Sequence, residues 1–275
     1  DWFLFAIVPK GGARPEVFSE AAYADGRILD EAAGLFWKND WPGMQGRLAQ
    51  MTGAGKGAPP ALLLSANASA RSQKLDEALG FATRLASTSQ GALAEMARVA
   101  RMDALLELKR RDEAVAQAKA VLERAPRHGI RAEDLNRVGL ILKQTTLHHL
   151  AIRAFEKARE QDRTNEMYPA NAGVAYRDVG QVQKAIESFK RALAVAPKRA
   201  DIRTELASLY MTEVGDDEEA LRELEDAVTA DPLHARAHYL LGIAHTRAYR
   251  LDAAAEVWRR LLKLTPSDAT QSFFG

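Results

Sequence analysis

The chain has 275 residues, 47% hydrophobic and 27% charged, and its 38 basic and 37 acidic residues leave a net charge of +1. That is enough apolar material for one or two domains or for one elongated array, and no overall field favours nucleic acid or an acidic substrate. The absence of cysteine removes disulfides, thiol catalysis and cysteine–zinc sites.

The first ten residues, DWFLFAIVPK, are the most apolar stretch, but the run from Trp2 to Val8 is far below the roughly 18–20 residues of a spanning helix. Two readings stay open: the stub of a removed membrane anchor, with Trp2 at the interface and Lys10 outside, or an extended segment packed on the first helices. A start at Asp1 reads as a processed product or a piece of a longer chain. GRILDEAAGLF, around Ala32, predicts a first degenerate hairpin. Trp37–Pro60 then interrupts the pattern as a Gly-rich linker, with a short helix expected around Gly46–Met51. Trp37 and Trp41, four residues apart, are read as core packing, with a partner surface as the other reading. TGAGKG at Thr52–Gly57 suggests a phosphate loop. The full motif needs a glycine five residues before the Gly-Lys pair and a hydroxyl after it; Gln50 and Gly57 stand there, so the stretch reads as linker. Residues 1–58 form this N-terminal segment.

Residues 59–131 predict two degenerate helical hairpins. ALLLSANASA precedes KLDEALGFATRLAS, with Ala78 and Ala82 at helical spacing. MDALLEL precedes KRRDEAVAQAKAVLERAP, with Ala114, Ala118 and Pro126. RHGIRAED is a longer joint.

Beyond the joint the sequence repeats. Gly139, Gly173, Ala207 and Gly242 fall at steps of 34, 34 and 35. Ala151, Ala185, Ala220 and Ala254 keep step with them, as do Phe155, Phe189, Leu224 and Trp258. Small residues mark a close approach of two helices, and the bulky ones fill the space beside them. Gly180 suits the turn between helices, and Pro197, Pro232 and Pro266 stop the second helix of a unit. The third unit carries one extra residue within Glu213–Ala220, expected in its inter-helix turn because loops tolerate insertion. Its acidic run reads as a helix start.

A period near 34 with these columns resembles the tetratricopeptide repeat, a helix–turn–helix unit. The resemblance covers residues 132–268 as four repeats, followed by a tail at 269–275. It implies an all-α, right-handed solenoid of stacked hairpins. Members of that family hold peptides or other proteins in a groove lined mainly by the first helix of each unit. Carried onto this chain, the inward positions are Asn136, Leu140 and Lys143, then Met167, Ala170, Asn171, Val174 and Arg177. The next units supply Thr204, Ser208 and Met211, then Tyr239, Ile243 and Arg247. The version of the family that grips an acidic chain terminus wants basic residues where this chain has Asp201 and Glu205. An internal or extended protein segment is therefore the expected ligand, with Lys143, Arg177 and Arg247 available to its carboxylates.

No catalytic constellation emerges. His234, His238 and His245 have a spacing that could chelate a metal, but His238 and His245 occupy packing columns of the repeat and are read as core. His148 and His149 fall at a turn and are read as exposed. Acidic residues alternate with Lys and Arg on helix faces, as on solvated helices. The expectation is a non-catalytic scaffold or adaptor with no metal, cofactor, nucleic acid or small-molecule substrate. The alternative is an accessory region of a larger enzyme or cell-envelope export or assembly machine. Two features encourage it: an apolar start resembling a cut anchor, through which the chain would associate with a membrane, and an end, TPSDATQSFFG, without an obvious capping helix. The Ala/Arg-rich composition suggests a bacterial source, and the apolar start tilts the location toward the envelope, periplasmic or membrane-associated, over the cytoplasm.

Overall fold

The computed structural model describes residues 26–51, 56–57, 59–128 and 130–264. The apolar start, Thr52–Gly55 of the phosphate-loop-like stretch, Pro266 and the 269–275 tail lie outside them. Every regular element among the described residues is helical. The chain divides into two compact units, residues 1–146 and 147–275. Each is a solenoid of consecutive helical hairpins. No described helix is long and apolar enough to cross a membrane.

Unit 1 holds α1 (Gly26–Trp37), α2 (Trp41–Ala49), α3 (Pro59–Arg71), α4 (Leu75–Thr88), α5 (Gly91–Glu107), α6 (Arg111–His128) and α7 (Ala132–Gln144). Helices α1 and α2, α3 and α4, and α5 and α6 pair as hairpins. The linker expected between Trp37 and Pro60 contains a nine-residue helix that starts five residues earlier than Gly46. The cause is local: Asp40 accepts from the Gly43 N–H at 2.9 Å, and Pro42 sits in the first turn, where it displaces no hydrogen bond. Trp37 and Trp41 therefore belong to different helices, separated by Asn39 in the left-handed region. Trp41 meets Phe36 edge-on at 5.4 Å between ring centroids. Helix α6 continues through Pro126 to His128, two residues past the expected stop.

Unit 2 holds α8 (His148–Gln161), α9 (Met167–Asp178), α10 (Val182–Val195), α11 (Ala200–Leu209), α12 (Asp217–Ala230), α13 (Ala235–Arg247) and α14 (Leu251–Leu264). The repeat columns are its core: Ala151, Ala185 and Ala220 are fully buried, with Phe155, Phe189 and Leu224 beside them. A Cβ added to Gly173 would lie 2.8 Å from the Phe189 ring, and one on Gly242 would lie 2.6 Å from the Trp258 indole. Those glycines permit the close approach of α9 to α10 and of α13 to α14.

One turn geometry recurs between the two helices of each unit. A residue with positive φ stands at Asn39, Gln73, Lys109, Thr146, Gly180, Gly215 and Tyr249, at steps of 34, 36, 37, 34, 35 and 34. The next N–H then reaches back five residues: Asp40 to the Leu35 carbonyl, Lys74 to Ser69, Arg110 to Leu105, Gln181 to Tyr176 and Arg250 to His245, all at 2.8–3.1 Å. This is the Schellman closure of a helix end, in which one left-handed residue lets the last carbonyls find donors.

The extra residue of the third unit shows in the same bonds. Asp216 reaches back six residues, to Tyr210, at 2.9 Å. The insertion is taken up inside the helix end, as a π-helical turn over Tyr210–Val214, and not in the loop after it. Keeping Gly215 in the left-handed turn position preserves the start of α12. There Asp216 caps the Glu219 N–H at 3.0 Å, and Asp217, Glu218 and Glu219 fill the first turn.

Candidate binding clefts

In unit 2 a cleft of about 180 Å³ opens along the first helices α9, α11 and α13. Four of the expected groove positions line it: Met167, Ala170, Asn171 and Val174. They share one face because 167, 170, 171 and 174 follow the 3.6-residue period. Met167 is 38% exposed, whereas Ala170 is 7% exposed and forms floor. Phe189 and Ile202 complete the apolar part.

Its rim is a ladder of charges tied to one another. Glu205 on α11 pairs with Arg177 of α9 and with Arg236 of α13. Arg199 holds Asp201 through two hydrogen bonds, at 2.9 and 2.7 Å, and also pairs with Glu166. The hydrogen bonds from Arg199 hold the Asp201 carboxyl below the usual carboxylate range, against the opposing effect of burial. Arg177 touches Asp178 as well, at 3.2 Å. Arg247 donates to the Met211 carbonyl at 3.2 Å and pairs with Asp217 at the same distance. The π-helical turn thus has its own guanidinium anchor from the next repeat. Arg177 and Arg247, expected to await carboxylates of a ligand, already have carboxylates of the chain itself.

The remaining positions divide. Thr204 is fully buried, its hydroxyl donating to the Ala200 carbonyl at 2.6 Å, so it lies beneath the open face. Met211 is also buried. Tyr239 meets Trp258 edge-on at 5.8 Å between ring centroids. Ser208 and Ile243 are half-buried, outside the cleft lining. Asn136, Leu140 and Lys143 are half-buried residues of α7, in unit 1.

The three histidines of α13 and its cap pack or cap. His238 is buried, and its Nε2 donates to the Pro232 carbonyl at 3.0 Å. His245 is buried, and desolvation pulls its pKa down. His234 caps α13 by accepting from the Ala237 N–H at 3.2 Å. His149 is exposed at the start of α8, while His148 is half-buried with its Nδ1 3.7 Å from Asp178.

Sequence reasoning missed a second cleft, of about 560 Å³, wholly within unit 1. It lies along α3, α5 and α7, with Trp41 at its edge. Arg137 of α7 reaches Asp103 of α5 there, at 3.1 Å through Nε and 2.7 Å through Nη2. Burial raises the Asp103 carboxyl to about 6 despite that partner, and the nearby carboxylates Asp134 and Glu107 add to the rise. The one signal in the sequence was Asn67, Asp103 and Arg137 recurring near a 34–36-residue interval on first helices.

Comparison with known proteins agrees with this architecture. Models of the family described as Tetratricopeptide repeat match residues 170–203 and 213–269. The crystal structure of MamA is 24% identical and superposes with a TM-score of 0.55, covering 62% of this chain and 96% of that one. YrrB, titled a TPR protein with an unusual peptide-binding site, is 20% identical with a TM-score of 0.54, over 66% of this chain and 90% of its own. The C-terminal part of a TPR repeat-containing protein from Cytophaga hutchinsonii is 18% identical with a TM-score of 0.69, over 87% and 96%. A curated relative, the probable UDP-N-acetylglucosamine–peptide N-acetylglucosaminyltransferase SPINDLY of Hordeum vulgare, is 28% identical over 139 residues. That match spans 48% of this chain but only 15% of the relative. With the repeat columns in the core, the same turn recurring between hairpin helices and two matching family models, residues 170–203 and 213–269 of this chain carry tetratricopeptide repeats.

Proposed function

We propose that the protein is a non-catalytic interaction scaffold whose unit 2 cleft holds an extended segment of another protein. The observation that carries this reading is the open apolar floor of Met167, Ala170 and Val174 beside the Asn171 amide. An amide can bond a peptide backbone in either direction, and a thioether adapts to varied side chains. The rim charges neutralise one another, so they set register more than they attract a charged ligand. The ligand is accordingly an uncharged, partly apolar stretch, not an acidic terminus.

A photo-crosslinking residue at Val174 tests this against one at Glu187, an exposed position on the second helix α10. Adducts with a defined protein segment are expected from position 174 only. Asn171→Ala should then weaken that segment about tenfold, on the order of 1.4 kcal/mol, and leave the melting temperature unchanged. Equal crosslinking at both positions would place the binding surface elsewhere.

The likeness to SPINDLY supports a second reading, in which these repeats serve a catalytic region carried by a longer chain. The full coding sequence decides it: a catalytic domain on either side establishes the reading, and flanks without one remove it.

A further inference from the structure

We propose that unit 1 carries a site of a different kind, on its second-helix side, for a small phosphate monoester with an apolar body. The site is a recess of about 380 Å³ among α2, α3 and α4. It shares no lining residue with either first-helix cleft, so it goes beyond the scaffold reading and does not depend on it.

The helical period separates the two cavities of unit 1. On α3, Ala66, Asn67, Ala70 and Arg71 line the first-helix cleft, while Ala61, Ser65 and Ser69 run along the opposite side of the same helix. Second helices supply the other walls. Leu48 and Ala49 come from α2, and Glu77, Phe81 and Arg84 share one face of α4. Leu48 and Ala61 are buried and Phe81 is half-buried, which gives an apolar floor. The alanines and serines beside it are too small to fill the space.

Charge then defines the ligand. Lys56, Lys74 and Arg84 line the recess against a single carboxylate, Glu77, whose Oε2 accepts from the Ser69 hydroxyl at 3.3 Å. The side chains of the three cations have no hydrogen-bond or ion-pair partner among the described residues, and neither do those of Gln45 and Ser65. Nearby hydroxyls behave otherwise: Thr83 and Thr88 of α4 donate to the Leu79 and Arg84 carbonyls of their own helix, at 2.7 and 2.9 Å. The first-helix clefts also differ, since their arginines are tied to carboxylates of the chain, Arg177 to Glu205 and Arg137 to Asp103.

Three cations against one carboxylate leave two positive charges at the recess. A phosphate monoester carries about −1.5 to −2 at neutral pH and three strong acceptor oxygens, which matches that balance and the number of donors. Lys56 belongs to the TGAGKG stretch, which lacks the glycine and hydroxyl of a phosphate loop. Here the remaining donors come from α3 and α4 instead. A bare phosphate would leave the Leu48, Ala61 and Phe81 floor unused, so the head is expected to carry an apolar body.

The test is calorimetric titration of the full chain at low ionic strength, with naphthyl phosphate, naphthoate, naphthol and inorganic phosphate as probes. Naphthyl phosphate should bind at least about tenfold more tightly than each of the others. Lys74→Gln and Arg84→Gln, at exposed positions, should each weaken it about tenfold and leave the melting temperature unchanged. Lys119→Gln removes the same charge at an exposed position on α6 and should leave binding unchanged. Added salt should lower the affinity. Equal affinity for naphthol would make the recess merely apolar, and equal affinity for inorganic phosphate or naphthoate would make it an unselective basic patch. Equal loss in Lys119→Gln would make overall charge the cause. Sedimentation with phosphatidic acid vesicles without naphthyl phosphate binding would make it a membrane contact. Each of these results overturns the proposal, as does the absence of binding.

Discussion

In unit 2 the helices of a hairpin meet across a glycine and a ring, Gly173 on Phe189 and Gly242 on Trp258. In unit 1 buried alanines stand at the ring positions of the second helices, Ala82 on α4 and Ala118 on α6, against partner helices rich in leucine and methionine. Both solutions bury the same stripe, but they leave different surfaces. Rings that fill the inter-helix space accompany a cleft of about 180 Å³, while alanine walls accompany one of about 560 Å³. The turns differ in part. Unit 2 uses Gly180, Gly215 and Tyr249 at the left-handed turn position, whereas unit 1 uses Asn39, Gln73, Lys109 and Thr146. A hairpin is thus specified by geometry that several residues can satisfy, and only some of those residues are recognisable as a pattern.

The largest expected effect separates the two packing schemes. Gly173→Leu should destabilise by about 1–3 kcal/mol, because the Phe189 ring already stands where the first side-chain carbon must go. Gly173→Ala sets two effects against each other. Alanine gains up to about 1 kcal/mol of helix propensity over glycine, yet the 2.8 Å contact forces the ring to move. The clash should win, giving a lower melting temperature. Gly80→Ala in α4 has nothing within 4 Å of the new carbon and should raise it. Equal responses at Gly173 and Gly80 in thermal melts would erase the distinction between the units.

Much of the fold was legible because unit 2 writes its packing in unusual residues at a fixed period. Gly173, Phe189 and Pro197 can each be found by sliding the sequence on itself. Unit 1 satisfies the same geometry with Gln73 and Lys109, which no turn rule flags, so its hairpins read only as loose alanine spacing. The helix at Trp41 was shortened in expectation because Gly43 and Gly46 resemble a linker, while the Asp40 cap outweighs their low propensity. Of the site, the face of α9 was readable from the period alone. The pairing of Arg177 with Glu205 was not, because partners 28 residues apart depend on how successive first helices stack. Thr204 was placed in the groove by its position in the repeat, yet it is buried and its hydroxyl folds back on its own helix.

A smaller effect, confined to unit 1, concerns pH. The Asp103 carboxyl is raised from 3.8 to about 6, so the folded protein holds this proton more tightly than the unfolded chain. Stability from this group therefore increases as pH falls from about 7 towards 4 and is lost again as pH rises through 6. A shift of that size corresponds to roughly 3 kcal/mol at most. The side chain keeps 29% exposure, which lowers the expected contribution to about 1–2 kcal/mol. Urea unfolding at pH 4.5 and 7.5 should show Asp103→Asn losing most of that pH-dependent difference. His245 in unit 2 opposes it: its lowered pKa makes acid destabilising below about 6.5. An unchanged pH profile in Asp103→Asn would mean that water reaches the carboxyl freely.

The smallest effects come from exchanging the turn residues themselves. A side chain in the left-handed region costs roughly 1 kcal/mol relative to glycine, because Cβ crowds the following carbonyl. Gln73 and Lys109 carry that strain at φ near 60°, while Gly180, at 72°, does not. Gln73→Gly and Lys109→Gly should therefore each stabilise by about 0.5 kcal/mol, the relief of strain being partly offset by the greater freedom glycine has when unfolded. Gly180→Ala should destabilise by about 1 kcal/mol. These positions lie in turns, and no Cβ neighbour within 4 Å at Gly180 complicates the comparison. Opposite signs at one structural position would show that the two units share a turn and differ only in which residue bears it. If Gln73→Gly were destabilising instead, the glutamine side chain would be contributing contacts of its own, and the unit 1 turn would be a distinct device.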